Sequence, residues 1–379
     1  MNYLLRMCLT GLPLLGYMAV AVAKDGQDVV VRAPQGDFQR SIARVVFGPD
    51  GRLFAAYRIR GGAVNTEAVR LLAIEPVTGK IEVERSYPAP KAAFPRVVDD
   101  LIVSPDGETL LYAELHRPVF VAAFRSQMLE MLSSSTAQLF TAEDFMPRLS
   151  GATRTSVLLS SERRGPTGGV RVIALDLKNV DQVNEDSTLP FHKDEGQNYA
   201  VDVAGNAVWF GQGTSWFKHD LKSGDRLSEM HSREDVSSLS ASGQKLLGLT
   251  DKKLAGRIQL FDSNGKELAD TRNEECGFVR ASLSPDGQFG VAVCDKTGLD
   301  EAHFGETMWR RAVVFEVSTL KVVASIPMSR NVIKERGPER VDFWIAIPTP
   351  ALWHGTNRLL LAVPGFPDSI SVHSIPLDK

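Results

Sequence analysis

The residues best equipped for chemistry gather toward the C-terminal end of the chain. Asp295, Asp300, Glu301 and Glu306 share the segment DKTGLDEAHFGETMWRR with His303, Trp309, Arg310 and Arg311, and Arg330, Lys334, Arg336, Arg340 and Trp344 follow within a few turns of sequence. Such a mixture can hold an acidic ligand through guanidinium forks, with the indoles as flat apolar surface, or it can neutralise itself as a solvated face. A second group is Arg44, Asp100 and Arg280. Each stands seven residues ahead of a turn glycine, and Asp99, Asp235 and Val236 occupy neighbouring or equivalent places. Brought together at the mouth of a channel, these charges would bind a ligand or a divalent ion, or pair with one another as a polar plug.

Other chemistry leaves no local signature. The seven histidines, at 116, 192, 219, 231, 303, 354 and 373, form neither H-x-H nor H-E-x-x-H. No nucleophile elbow, P-loop or dinucleotide fingerprint is present, and C-x-x-C-H is missing. DSNGKE at 262–267 has too few acids for a calcium loop and reads as an Asn-Gly hairpin turn. The sequence calls for no cofactor. A net charge of −3 offers no basic field for nucleic acid.

Compartment is the clearer message. Arg6, an apolar run from Met7 to Ala23, and Ala21 and Ala23 at positions −3 and −1 make residues 1–23 a secretory signal peptide cleaved before Lys24. No later run is long enough to span a bilayer, so residues 24–379 are expected as one exported domain, periplasmic or secreted, with no membrane span after cleavage. Cys276 and Cys294 then remain as an even pair. They flank a predicted hairpin and are expected either as a cross-strand disulfide or as two buried thiols. The absence of any N-x-[ST] sequon leans toward a bacterial source.

The elements that would position these groups are short strands. RVVFGPDGRLFAAY, DLIVSPDGETLLYAEL and ASLSPDGQFGVAVC share one design: an apolar run, a Pro-Asp-Gly turn and a second apolar run. Looser copies give turn glycines at 51, 107, 151, 205, 243, 287 and 355, and the copy at 148–160 is the weakest. Their mean interval of about 51 residues approaches that of a four-stranded propeller blade. A second hairpin follows most copies, as in RLLAIEPVTGKIEVE and WFKHDLKSGDRLSEM. Only 124–134 has helical spacing, enough for a turn or two. The expectation is an all-β, seven-bladed β-propeller, with six or eight blades also compatible. QDVVVRA at 27–33 should supply the fourth strand of the last blade and close the ring, because the chain stops after that blade's third strand.

The S-P-D-G turns at 104–107 and 284–287, each followed by an apolar strand, and VFEVSTLKVVASIPM at 314–328 resemble the YVTN and WD40-like β-propellers of exported bacterial proteins. Neither a Y-V-T-N tetrapeptide nor a G-H…W-D signature occurs. That class includes lactonases, quinoprotein dehydrogenase subunits and proteins that only bind partners. The tight turns leave length on the opposite rim, at 58–70, 161–169, 295–311 and 329–344, where binding is expected. The leading expectation is therefore a scaffold whose loop-rich face takes a protein, peptide or glycan without chemistry. The alternative is an enzyme of the lactonase or quinoprotein type with its site at the axial mouth. A structural subunit of an envelope assembly is the third reading.

Overall fold

The computed structural model describes residues 28–32, 44–60, 67–89, 99–115, 118–164, 168–191, 198–236, 238–241, 245–250, 256–273, 277–296, 309–328, 332–336, 341–345, 349–365 and 369–377. These form seven four-stranded antiparallel sheets and one hairpin, without helix. Strand β1 (Val29–Arg32) comes first. Blade 1 then runs β2 (Arg44–Phe47), β3 (Leu53–Arg60), β4 (Glu67–Glu75), β5 (Lys80–Ala89), and blade 2 runs β6 (Asp99–Val103), β7 (Thr109–Glu114), β8 (Val119–Arg125), β9 (Glu130–Ala137). Blade 3 is β10 (Asp144–Ala152), β11 (Ser156–Arg163), β12 (Gly169–Asp176), β13 (Val183–Pro190), and blade 4 is β14 (Asn198–Asp202), β15 (Ala207–Gln212), β16 (Ser215–Asp220), β17 (Arg226–His231). Blade 5 has β18 (Ser238–Ala241), β19 (Lys245–Thr250), β20 (Gly256–Asp262), β21 (Glu267–Asn273), and blade 6 has β22 (Gly277–Leu283), β23 (Phe289–Lys296), β24 (Trp309–Glu316), β25 (Val322–Met328). The hairpin β26 (Val332–Arg336) and β27 (Val341–Ile345) precedes the last three strands, β28 (Ala351–His354), β29 (Arg358–Gly365) and β30 (Ser369–Pro376).

Blade 7 is ordered β28-β29-β30-β1, so the N-terminal strand is its outermost member. Val29 pairs with Val372 and Arg32 with Ser369. The ring is closed by β1 on β30, and the blade count is seven. Segment 148–160, the weakest copy, covers the second half of β10 and most of β11 in a full blade 3.

The core explains why sequence patterning changes across a blade. It consists of seven separate clusters, one at every blade-to-blade seam, including the seam of blade 7 with blade 1. Along β3, Leu53, Ala55 and Tyr57 face blade 7, while Phe54 and Ala56 face blade 2. Strands inside a blade are thus apolar on both faces, as in the fully buried β7 and in β8, which is buried as far as Phe124. Outer strands such as β9 and β13 need only occasional buried positions.

Turn chemistry sets the register. Gly51, Gly107 and Gly287 have φ of 85°, 77° and 68°, and Asp50, Asp106 and Asp286 each accept a hydrogen bond from the backbone N–H two residues on. The turns between third and fourth strands use a different device. Glu75, Asp176, Asp220 and Asp262 end their strands and accept backbone N–H groups two to four residues later. DSNGKE is such a turn.

Three expectations are corrected. Residues 124–134 are not helical: they are the end of β8, a turn with Leu129 at φ 53°, and the start of β9. Gly151 lies inside β10 beside a register shift, and the turn follows it at 153–155, held by Thr153 and Ser156. The connector 329–344 is not a plain loop, since it carries most of the β26–β27 hairpin.

Candidate functional site

Of the residues expected at the channel mouth, Arg44 and Asp100 are described in full. Arg44 begins β2 and Asp100 is second in β6, on the innermost strands of adjacent blades, and both are half-buried. Asp100 Oδ1 accepts the Leu101 N–H at 2.9 Å. Val236 is buried in the seam between blades 4 and 5. Arg280 lies in β22, but its side chain is outside the described residues.

The loop-rich rim falls largely outside them as well. Asp300, His303 and Cys276 are not described, and Asp295, Trp309 and Arg310 are described as backbone only. The ladder sets Asp295 opposite Arg310 and Lys296 opposite Trp309. Arg311 is half-buried. Its Nε donates to Ser325 Oγ at 2.6 Å and a terminal nitrogen to Ser325 O at 3.0 Å, so part of the fork fastens β24 to β25. Cys294 is buried in the seam between blades 5 and 6.

The described surface offers a different site, on the face of the tight turns. A cleft of about 800 Å³ opens where blades 7, 1 and 2 meet, lined by Arg52, Glu82, Val77, Met128, Trp353 and Arg358 among others. A second of about 630 Å³ continues from it toward Leu132 and Lys178, sharing Asp50, Arg52 and Gln127. Sequence reasoning gave this face no room because each turn is tight. The space lies between blades, and no single segment announces it.

Trp353, the third residue of β28, forms one wall. Its Nε1 donates to Pro49 O at 3.3 Å, and its ring lies 2.8 Å from where a Cβ on Gly51 would stand. Gly51 therefore serves twice, supplying the positive φ of its turn and room for the indole. Arg52 crosses the floor, pairing with Glu82 Oε2 at 2.6 Å and donating to Gln127 O at 3.3 Å. Burial pushes the Glu75 carboxyl up, but hydrogen bonds from Thr78 and Val77, with the Arg358 charge, hold it below its ordinary value. Over this polar floor stand Val77, Met128 and Leu132, exposed by 47, 45 and 39%.

Solved structures share this architecture. The β-propeller domain of Cps50 (Swd1) from Myceliophteria thermophila is 14% identical with a TM-score of 0.54, over 91% of this chain and 98% of that one. A chain of a mitotic checkpoint complex is 13% identical with a TM-score of 0.53, over 99% of both. The fold is that of a WD40-like propeller. No family model matches the sequence, and no curated protein matches it.

One charged group of this propeller has a clear acid dependence. Burial raises the Asp286 carboxyl, but Ser284, His354 and the Gln288 N–H outweigh that and hold it below its ordinary value. Its stabilisation is complete above the unfolded carboxylate value near 3.9 and disappears as pH falls through the lower folded value. Asp286→Asn should therefore cost about 1 kcal/mol at neutral pH, and the gap to wild type should narrow as pH falls below about 4. Urea titrations across that range read both limbs, and a constant gap would mean the charge is irrelevant.

Proposed function

We propose that this chain is an exported propeller that binds a protein or peptide partner through the groove across the turn face of blades 7, 1 and 2. The observation that carries the reading is the exposure of Val77, Met128 and Leu132 along one continuous groove, beside Trp353 and over the Arg52–Glu82 pair. Apolar contacts surrounded by polar groups are how protein interfaces are built, with an aromatic anchor near the centre. Single exposed apolar residues need no explanation; three along one groove do. Export is supported by the apolar, A-x-A-terminated segment 1–23. Cleavage before Lys24 would leave Asp28 and β1 on the mature chain.

A photo-crosslinking residue placed at Met128 tests the binding surface in the native exported fraction. A discrete adduct is expected from that position and not from Leu268, an equally exposed residue on the outer strand of blade 5. Val77→Asp combined with Leu132→Asp should abolish it. Equal adducts from both positions, or none from Met128, would overturn the reading. Export has its own readout in the same material. The mature chain should begin at Lys24, and peptide mapping without reductant should join Cys276 to Cys294.

A further inference from the structure

We infer that the partner of the turn-face groove is an extended peptide segment in which an acidic residue stands beside an apolar one. Its carboxylate is taken by Arg358 at one end of the groove or by Lys178 at the other. The inference rests on the groove being a binding surface, and it names the chemistry of what binds there.

Most charges that line the groove are already engaged. Arg52 is paired with Glu82, and Arg125 reaches Glu130 at 3.5 Å. Glu75 accepts the Val77 N–H and both the N–H and the hydroxyl of Thr78. Asp106 accepts the Ser104 hydroxyl at 2.5 Å and the Glu108 N–H at 3.0 Å, and Asp50 accepts the Arg52 N–H at 3.1 Å. These three acids close their own turns.

Arg358 and Lys178 differ. Both are exposed, and among the described residues neither side chain has a hydrogen bond or an ion pair. The Arg358 charge is felt by Glu75, whose oxygens are filled by its own turn. Both backbones are fixed. Arg358 opens β29 opposite Pro376, and its carbonyl accepts the Gly355 N–H at 2.9 Å. Asp176 Oδ1 accepts the Lys178 N–H at 2.9 Å, and two residues on the Val180 N–H ties the same turn to Ser133 of blade 2.

Each cation also stands beside apolar surface. Arg358 shares its cleft with Trp353 and Val77, and Lys178 shares the continuation with Leu132. A guanidinium can take a carboxylate through two parallel hydrogen bonds, and apolar contacts around such a pair keep water from it. Asp50, in the stretch common to both clefts, and Glu108, in the second, are exposed and repel a carboxylate. Partner acids are thereby confined to the two cations.

Four pools of degenerate 12-residue peptides, with Glu-Leu, Gln-Leu, Lys-Leu or Glu-Ser fixed at a central pair, test this on the immobilised intact chain. The Glu-Leu pool should be retained about threefold over Gln-Leu and Glu-Ser, and about tenfold over Lys-Leu. Arg358→Gln combined with Lys178→Gln should erase the advantage of Glu over Gln and leave that of Leu over Ser. Arg358→Lys, in the Lys178→Gln background, should restore part of the first. Val77→Asp combined with Leu132→Asp should instead erase the advantage of Leu. Equal retention of the three Leu pools above Glu-Ser would overturn the acidic partner and leave the groove as a binding surface. Equal retention of all four would overturn both readings. An advantage of Glu that survives loss of both cations, a preference for Lys-Leu, or dimers of the chain that Val77→Asp breaks would also overturn the inference.

Discussion

Replacing Arg171 with methionine should lower the unfolding free energy by about 3 kcal/mol, with the denaturant midpoint falling at unchanged slope. Arg171 sits on β12 and serves three segments. Its Nε and one terminal nitrogen grip Asp186 on β13 at 2.9 and 2.6 Å, and the other terminal nitrogen reaches Leu139 O at 2.9 Å and Asp144 Oδ2 at 3.0 Å. Asp144 decides the magnitude, because its side chain is fully buried. Burial pushes that carboxyl up, yet Thr141 and Arg171 hold it below its ordinary value, so it is folded as an anion. Removing the guanidinium takes the charge-bearing partner from a buried carboxylate, which keeps the Thr141 N–H and hydroxyl and the Ser161 hydroxyl among its donors. Arg171→Lys should fall between, keeping the charge without the two-armed geometry. A methionine variant within about 0.5 kcal/mol of wild type would show that the network contributes little.

The same network shows what sequence reasoning could and could not see. Pro-Asp-Gly fixes a turn through local dihedrals and a side chain capping its own backbone, so those three hairpins were legible. Gly151 deceived because it occupies a strand, and Asn206, next to Gly205, carries the positive φ of its turn (47°). Residues 124–134 pair helix formers with helical spacing, but the ladders on both sides of Leu129 outweigh that preference. The acids that end the third strands repeat at fixed places, and that signal was available. Arg171, Asp144 and Asp186 were not, since nothing in the sequence says that positions 27 and 15 residues apart converge. The turn-face groove is hidden for the same reason: Arg52, Met128 and Trp353 meet only once the ring closes.

That closure sets the second large effect. Val31→Asp should cost about 4 kcal/mol or more and leave the chain prone to self-association. Val31 is 3% exposed, in the cluster that joins blade 7 to blade 1, and it stands opposite Ile370 in the ladder of β1 on β30. Its neighbour Val29 presses on blade 1 so closely that a Cβ on Gly79 would lie 2.4 Å from a Val29 methyl. A carboxylate at 31 would face an apolar seam with its charge uncompensated, and the strand would leave with it. β30 would then present an unpaired edge. Val30→Asp is the matched control. Val30 is 55% exposed on the same four-residue strand, so the same charge there should cost less than about 1 kcal/mol. If the two substitutions were equally harmful, charge near the N-terminus would be the cause. If both were mild, β1 would not be what closes the ring.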